Sequence, residues 1–303
     1  GMIALAYNIP GVNSEIRLPR DVYVDIFAGA IKRWDDPRIK AANPGLAFPH
    51  RDIALVARQD SSGTTAAFTK HLAAIGGGWR NAGMRVGKLI DWPKGTMLAP
   101  GNEGVAGRIK VSEGSIGYVE YWFAQRLGLR MAALQNNAGS YVRPTSHSGE
   151  LALSTRVAKV KELDTSVLNP SAAGAYPITT YSWMFLYPRY ADPAKGRTVR
   201  NFADWVLSQQ AQNYGAQLGY LPLTDDITGC DASVRLLKRV GDHVAGDEHL
   251  ALVWPADRRD AAVARQHAVV AGQAEEDERR QDQDQQDELQ QALVLADRIE
   301  HGA

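Results

Sequence analysis

The apolar run Ile53-Ala54-Leu55-Val56-Ala57 passes directly into the polar octet Arg58-Gln59-Asp60-Ser61-Ser62-Gly63-Thr64-Thr65, and the octet into Ala66-Ala67-Phe68-Thr69-Lys70-His71-Leu72. The first run is short, aliphatic and largely branched, which reads as a buried strand. Phe68 and Leu72 lie four apart, and Ala67, Leu72 and Ile75 continue the apolar face of a helix. The order is strand, polar turn, helix, and it confines the chain to folds in which a sheet hands over to a helix at this point. A helix N-terminus carries unpaired N–H groups and the positive end of the macrodipole, so small hydroxyl residues there form a pocket for an anion. Gly63 lets the backbone come close, Ser62 and Thr64 add hydroxyl donors, and Arg58 brings a permanent charge whose planar fork suits a tetrahedral oxyanion. Asp60, two residues on, is placed to hold that arginine. Asp, Ser and Thr in this position are also ordinary helix caps that need no ligand, so both readings stand at this stage. A nucleophile is a poorer account, because there is no G-x-S-x-G elbow and no evident histidine partner.

The octet resembles the phosphate-binding loop of the periplasmic phosphate-binding proteins that feed the high-affinity phosphate ABC transporter. Further stretches are similar to that family in the family's order: Leu5-Ala6-Tyr7-Asn8-Ile9-Pro10-Gly11, Ile26 to Pro37, Asn43-Pro44-Gly45, Gly101-Asn102-Glu103-Gly104-Val105, Gly114 to Tyr121, and Leu218 to Leu223. The resemblance runs from about Ile3 to about Asp226.

That resemblance implies an α/β fold of the periplasmic-binding-protein type, with two lobes of mixed sheet flanked by helices and joined by crossing strands, and with the first lobe incomplete. Residues 1–175 would be mostly the second, ligand-binding lobe, and residues 176–228 the returning part of the first. Arg58, Ser62, Gly63 and Thr64 stand where the family contacts phosphate, and Asp60 where it orients the arginine. Ser61 replaces the glycine usual in the family. The family's Gly-rich Thr-Phe turn, its serine turn and an acidic residue, all from the first lobe, have no counterpart here. The expected role is non-catalytic binding of inorganic phosphate in an interlobe cleft and delivery to a membrane permease, by a monomer in the periplasm or cell envelope. A receptor for another oxyanion, a phosphatase-type enzyme using Ser62 or Thr64, and a shortened form that binds nothing are the rivals.

Composition narrows the partners. With 34 basic and 34 acidic residues the formal net charge is zero, so a nucleic-acid or membrane-surface partner is not expected and any positive potential must be local. Cys230 is the only cysteine, which excludes an internal disulfide and a cysteine metal cluster. The seven histidines lack metal-ligand spacing, and neither a metal nor a cofactor is expected. No run is long enough for a membrane span, and Gly1-Met2-Ile3 opens inside a strand-like run with no signal peptide ahead of it.

Along the chain, residues 3 to 9 read as a strand and Val22 to Phe27 as a short helix after Pro19. A further helix is opened by Trp34-Asp35-Asp36-Pro37, capped by an aspartate with proline at an early position, and closed by Asn43-Pro44-Gly45. Asp35 and Asp36 face different directions on a helix and read as cap and surface, not as an acid/base pair. Gly76-Gly77-Gly78 is expected to be a turn. Gly101 to Gly107 has the wrong spacing for a dinucleotide loop and reads as a tight turn entering a helix. Ser115 to Tyr121 is a strand followed by a helix through Trp122, Phe123 and Leu127. A weak helical pattern runs from Leu151 to Leu163, and Tyr176 to Tyr187 reads as a strand. Phe202, Trp205, Val206, Tyr214 and Leu218 fall near helical spacing, an aromatic stripe of the kind that usually packs in a core. Residues 229–303 form a divergent polar tail, with Gln273 to Gln291 rich in Glu, Asp, Gln and Arg. Disorder or a loose helix is expected there, with one amphipathic stretch through Leu289, Leu293, Ala296 and Ile299.

Overall fold

The computed structural model describes residues 1–154, 167–180, 186–187, 190–217, 220–223, 232–236 and 251–255. In chain order these hold β1 (Ile3–Asn8), β2 (Arg17–Leu18), α1 (Arg20–Phe27), α2 (Pro37–Ala42), β3 (Ala54–Arg58), α3 (Gly63–Ile75), α4 (Gly77–Asn81), β4 (Met97–Ala99), α5 (Gly101–Val111), β5 (Ser115–Glu120), α6 (Tyr121–Arg126), β6 (Arg130–Met131), β7 (Ala133–Gln135), β8 (Tyr141–Val142), α7 (Ser146–Ser154), β9 (Val167–Leu168), β10 (Ile178–Thr179), α8 (Pro193–Leu207), α9 (Gln209–Gln217), β11 (Ala232–Leu236) and β12 (Ala251–Pro255). The chain divides into two compact units, one of Gly1–Ser182 with Arg200–Thr228, the other of Trp183–Val199 with Gly229–Ala303.

The first unit is built on a five-stranded mixed sheet in the order β4-β3-β5-β1-β6. β3 runs parallel to both β4 and β5, while β1 is antiparallel to β5 and to β6. Both faces of this sheet are covered, which explains why its strands read as unbroken apolar runs. Successive side chains alternate across the sheet. Leu55, Ala57, Ile116 and Tyr118 enter the larger core with Phe27, Phe68 and Leu72 of the α1–α3 side. Val56, Val119 and Ala6 instead pack with Val105, Ala106 and Ile109 of α5. Gly117 is needed where the two strands and α5 meet, since a Cβ there would come within 2.7 Å of the Val56 carbonyl and 2.9 Å of Ile109 Cδ1.

Beneath the start of α3 lies an aromatic cluster. Phe27 meets Phe68 edge-on at 4.8 Å, Phe68 stacks on Tyr118 at 4.6 Å, and Trp92 lies 5.4 Å from Tyr118 and 6.0 Å from Trp79. Contacts of this kind contribute about 0.5–1.5 kcal/mol each beyond area burial, so the cluster makes a stiff floor for the strand-to-helix junction.

Several expectations are met in detail. Asp36 caps α2 through a 2.9 Å bond from the Arg38 amide, with Pro37 in the first turn. Asp35 is turned to Arg33 and His50, at 3.0 and 2.7 Å. Others are corrected. Gly77 and Gly78 open α4 instead of forming a turn. The glycines serve close packing: a Cβ at Gly76 would lie 3.0 Å from Val24 and one at Gly78 2.3 Å from an Asp25 carboxylate oxygen. The stripe from Phe202 to Tyr214 is two helices, with Ser208 between them, and its rings are not core: Phe202, Trp205 and Tyr214 are about half exposed. Helical spacing fixes which residues share a face and says nothing of whether another element covers that face. Within the tail expected to be disordered or loosely helical, β11 and β12 pair antiparallel from Ala232–Pro255 to Leu236–Ala251, consistent with the apolar and branched residues Val234, Leu236, Leu252 and Val253. The amphipathic stretch from Leu289 to Ile299, the helical pattern beyond Ser154 up to Leu163, and the strand expected through Tyr181 to Phe185 lie outside the described residues.

His71, on α3, is fully buried, 2.9 Å from the Tyr23 hydroxyl through Nε2, and its Nδ1 has no partner among the described residues. Burial lowers its pKa to about 3, with the Arg20 charge acting in the same direction. An unfolded histidine titrates near 6.5, so the neutral ring contributes its full stability above that pH. Below it the unfolded chain takes up a proton that the folded one refuses until about 3. Denaturant unfolding should show a loss of about 2 kcal/mol from this group between pH 8 and pH 5. His71→Gln should flatten that slope, and equal slopes in the two proteins would refute the assignment.

Candidate functional site

β3 ends at Arg58 and α3 begins at Gly63, with Ser62 as its N-cap. Ser62 Oγ accepts from the Thr65 amide at 3.2 Å, and the Ser62 amide donates to the Lys88 carbonyl at 2.9 Å, which leaves this serine only 3% exposed. The amides of Gly63 and Thr64 have no acceptor among the described residues, as befits the first turn of a helix. The macrodipole adds positive potential at the same place.

Arg58 lies beside this turn with its side chain 10% exposed. Its Nε donates to Asp60 Oδ1 at 2.8 Å and its Nη2 to Asp60 Oδ2, a bidentate pair that leaves Nη1 without a partner among the described residues. The Gly101 amide donates to Asp60 Oδ1 at 2.9 Å. Gly101 has φ of 62° at the first position of α5, a conformation that favours glycine and aims its N–H at the carboxylate. The guanidinium, and behind it the Gly101 amide, hold the Asp60 carboxyl well below the usual carboxylate range, while Asp60 in turn raises the arginine. Charge on the pair therefore persists throughout the neutral and mildly acidic range.

Three neighbours were not singled out by their chemistry in the sequence. The Tyr118 hydroxyl accepts from the Arg58 amide at 3.1 Å and lies 2.7 Å from Thr65 Oγ1. The Glu120 carboxylate is 3.4 Å from Thr64 Oγ1 and contributes to the electrostatic field at Arg58, so it borders both halves of the site. The Glu120 amide donates to Asn102 Oδ1 at 3.2 Å. Only strand pairing could have revealed these: Tyr118 and Glu120 follow Gly117, whose register partner is Val56, and so end up next to Arg58.

The structure thus gathers Arg58, Asp60, Gly63 and Thr64 around one end of the parallel strands, where open sheets bind ligands. Ser62 comes with them chiefly as the cap. Two donors from the backbone, one free guanidinium nitrogen and the Thr64 hydroxyl make the place fit for a small oxyanion.

Residues 1–210 match the model of the PBP superfamily domain. The chain belongs to the PBP superfamily. Within it the relatives are PstS-like: the phosphate-binding protein PstS of Haemophilus influenzae is 34% identical over 229 residues, covering 75% of this chain and 68% of that protein. PstS of Methanocaldococcus jannaschii is 33% identical over 245 residues, covering 75% and 63%. The chain therefore spans about two-thirds of the length of the curated relatives it matches. A solved structure of a high affinity periplasmic phosphate-binding protein, PfluDING, bound with phosphate shares the fold at a TM-score of 0.55 and 22% identity, covering 75% of this chain and 67% of that one. The PBP architecture expected from the motifs, mixed sheet flanked by helices, is the one present.

Asp60 engages both Nε and Nη2 of Arg58 and so fixes the plane of its fork. Asp60→Ala should lower the melting temperature, because Arg58 and the Gly101 amide both lose their partner. Asp60→Asn, which still accepts from Gly101, should lower it less. Identical melting curves for all three proteins would show that the pair does not hold the loop.

Proposed function

We propose that this chain is the solute-binding component of a phosphate ABC transporter, a non-catalytic protein that takes up inorganic phosphate at the β3–α3 junction and passes it to a membrane permease. The observation that carries the reading is the Arg58–Asp60 pair beside the unbonded amides of Gly63 and Thr64. Arg58 supplies the countercharge, with Nη1 free to donate. Gly63 and Thr64 supply backbone N–H donors, and the Thr64 and Ser62 hydroxyls supply O–H donors, Ser62 while its oxygen still caps the helix. Charge-assisted bonds of this kind are about twice as strong as neutral ones. The relatives, phosphate-binding proteins PstS, support phosphate as the anion. Action as a monomer, in the periplasm or cell envelope and without nucleic acid, belongs to the same proposal. Among the described residues no helix is long and apolar enough to cross a membrane.

Titration calorimetry tests it. Phosphate should bind, and Arg58→Ala should weaken it on the order of 100-fold, about 3 kcal/mol. Binding of a different oxyanion in place of phosphate would make this a receptor of another specificity. Release of product from a chromogenic phosphate ester, abolished by Ser62→Ala or Thr64→Ala, would instead favour an enzyme, for which the Thr64–Glu120 contact is the one suggestive feature. Glu120 also sets a cost on negative charge. A carboxylate beside the site repels a fully ionised anion, so Glu120→Gln should strengthen sulfate binding on the order of 10-fold. An unchanged sulfate affinity would place Glu120 too far from the ligand to matter.

A further inference from the structure

The Arg58 amide and the Thr65 hydroxyl stand on opposite sides of the anion-holding turn, one closing the strand and the other opening the helix, and both meet the same phenol oxygen. We propose that Tyr118 is the positioning residue of the oxyanion site: its hydroxyl fixes the separation between the end of β3 and the first turn of α3 without touching the ligand. This rests on the oxyanion reading above and adds to it the group that sets the geometry.

Strand register explains why a side chain is needed. β3 and β5 pair in parallel from Ala54–Ser115 to Val56–Gly117, and the register ends there. On its other side β3 still pairs with β4 as far as Arg58–Ala99, and the next amide, Gln59, donates to the Ala99 carbonyl at 3.0 Å. The Arg58 amide has run past the last β5 partner, and the Tyr118 oxygen takes the place of the strand carbonyl, accepting at 3.1 Å. The same oxygen shares a proton with Thr65 Oγ1 at 2.7 Å. Thr65 in turn donates its amide to Ser62 Oγ, so the contact passes into the cap of α3.

The phenol itself cannot drift. Tyr118 is fully buried, stacked on Phe68 at 4.6 Å and packed beside Trp92 at 5.4 Å. Burial raises its pKa, so the hydroxyl stays protonated and keeps its place in both contacts. Thr65 is 1% exposed, which keeps water from replacing the lost partner if the hydroxyl is removed. Oxyanion sites work by holding donors where the anion will sit, and displacement of a donor by about 1 Å is enough to weaken them markedly.

Calorimetric titration of inorganic phosphate into the full chain, at a temperature well below the melting point of every variant, tests this. Tyr118→Phe keeps the ring and removes the strut, and should weaken phosphate binding on the order of 10-fold. Thr65→Val removes the other end of the strut and should weaken it similarly. The double variant should be little worse than either single one, since both break the same connection. A purely structural role would lower the melting temperature and leave the dissociation constant unmoved, and that result overturns the inference. Additive losses in the double variant would overturn it as well. Should Tyr118→Phe fail to fold, Thr65→Val alone decides, by loss of affinity or its absence. No phosphate binding by the unmodified chain would overturn the oxyanion reading itself, whereas normal binding by the unmodified chain and by both variants would leave that reading intact and remove only Tyr118 from it.

Discussion

A guanidinium with nine-tenths of its side chain out of water must be paired, and its partner decides where it points. In this chain the partner is two residues away. Asp60 engages Nε and Nη2 of Arg58 together, which fixes the plane of the fork as well as its position, and the Gly101 amide fixes Asp60. Three elements are tied by that one carboxylate: the end of β3, the turn before α3, and the start of α5. The desolvation cost of holding an arginine here is met by local hydrogen bonds, and Nη1 keeps no partner among the described residues.

The sheet makes this arrangement possible. β3 and β4 are parallel and end on the same side, so the turn after β3 and the first residue of α5 arrive together. Close packing of the strands depends on Gly117, and the aromatic floor of Phe27, Phe68, Trp92 and Tyr118 keeps the start of α3 from sinking toward the sheet. Rigidity below and free amides above are two aspects of one junction. The same residues that stabilise the fold hold these donors in register, which would lower the entropic cost of the proposed anion binding.

What could be read from the residues was what depends on short range. The strand–turn–helix order, the aspartate-capped, proline-led start of α2 and the burial of β3 all follow from local spacing and capping. The octet's arginine and aspartate could be paired by proximity alone. Contacts that need the strand order to be known were not legible: Gly101 is 41 residues from Asp60, and Tyr118 is 60 from Arg58. Gly76 to Gly78 shows the opposite failure. Three glycines imply a turn only if backbone freedom is the reason for them, and here the reason is the nearness of Val24 and Asp25. The aromatic residues of α8 and α9 obey helical spacing and yet are half exposed, because periodicity describes a face and not its cover.

A chain with no net charge can still attract an anion, provided its positive groups are concentrated and its negative ones are spent. Asp60 is spent on Arg58, and its charge is shared with the Gly101 amide. Glu120 is not spent in this way: among the described residues its carboxylate meets a long contact from Thr64 Oγ1, and it acts through space on Arg58 and on the Gly1 ammonium. On the proposed reading an incoming anion would meet a guanidinium nitrogen with no partner among the described residues, the helix N-terminus and one opposing carboxylate at close range. The attraction of the first two is common to all small oxyanions, while the repulsion of the third rises with ligand charge. On the proposed reading, discrimination between anions of the same shape would come from Glu120, and the capacity to bind any of them from Arg58 and the turn.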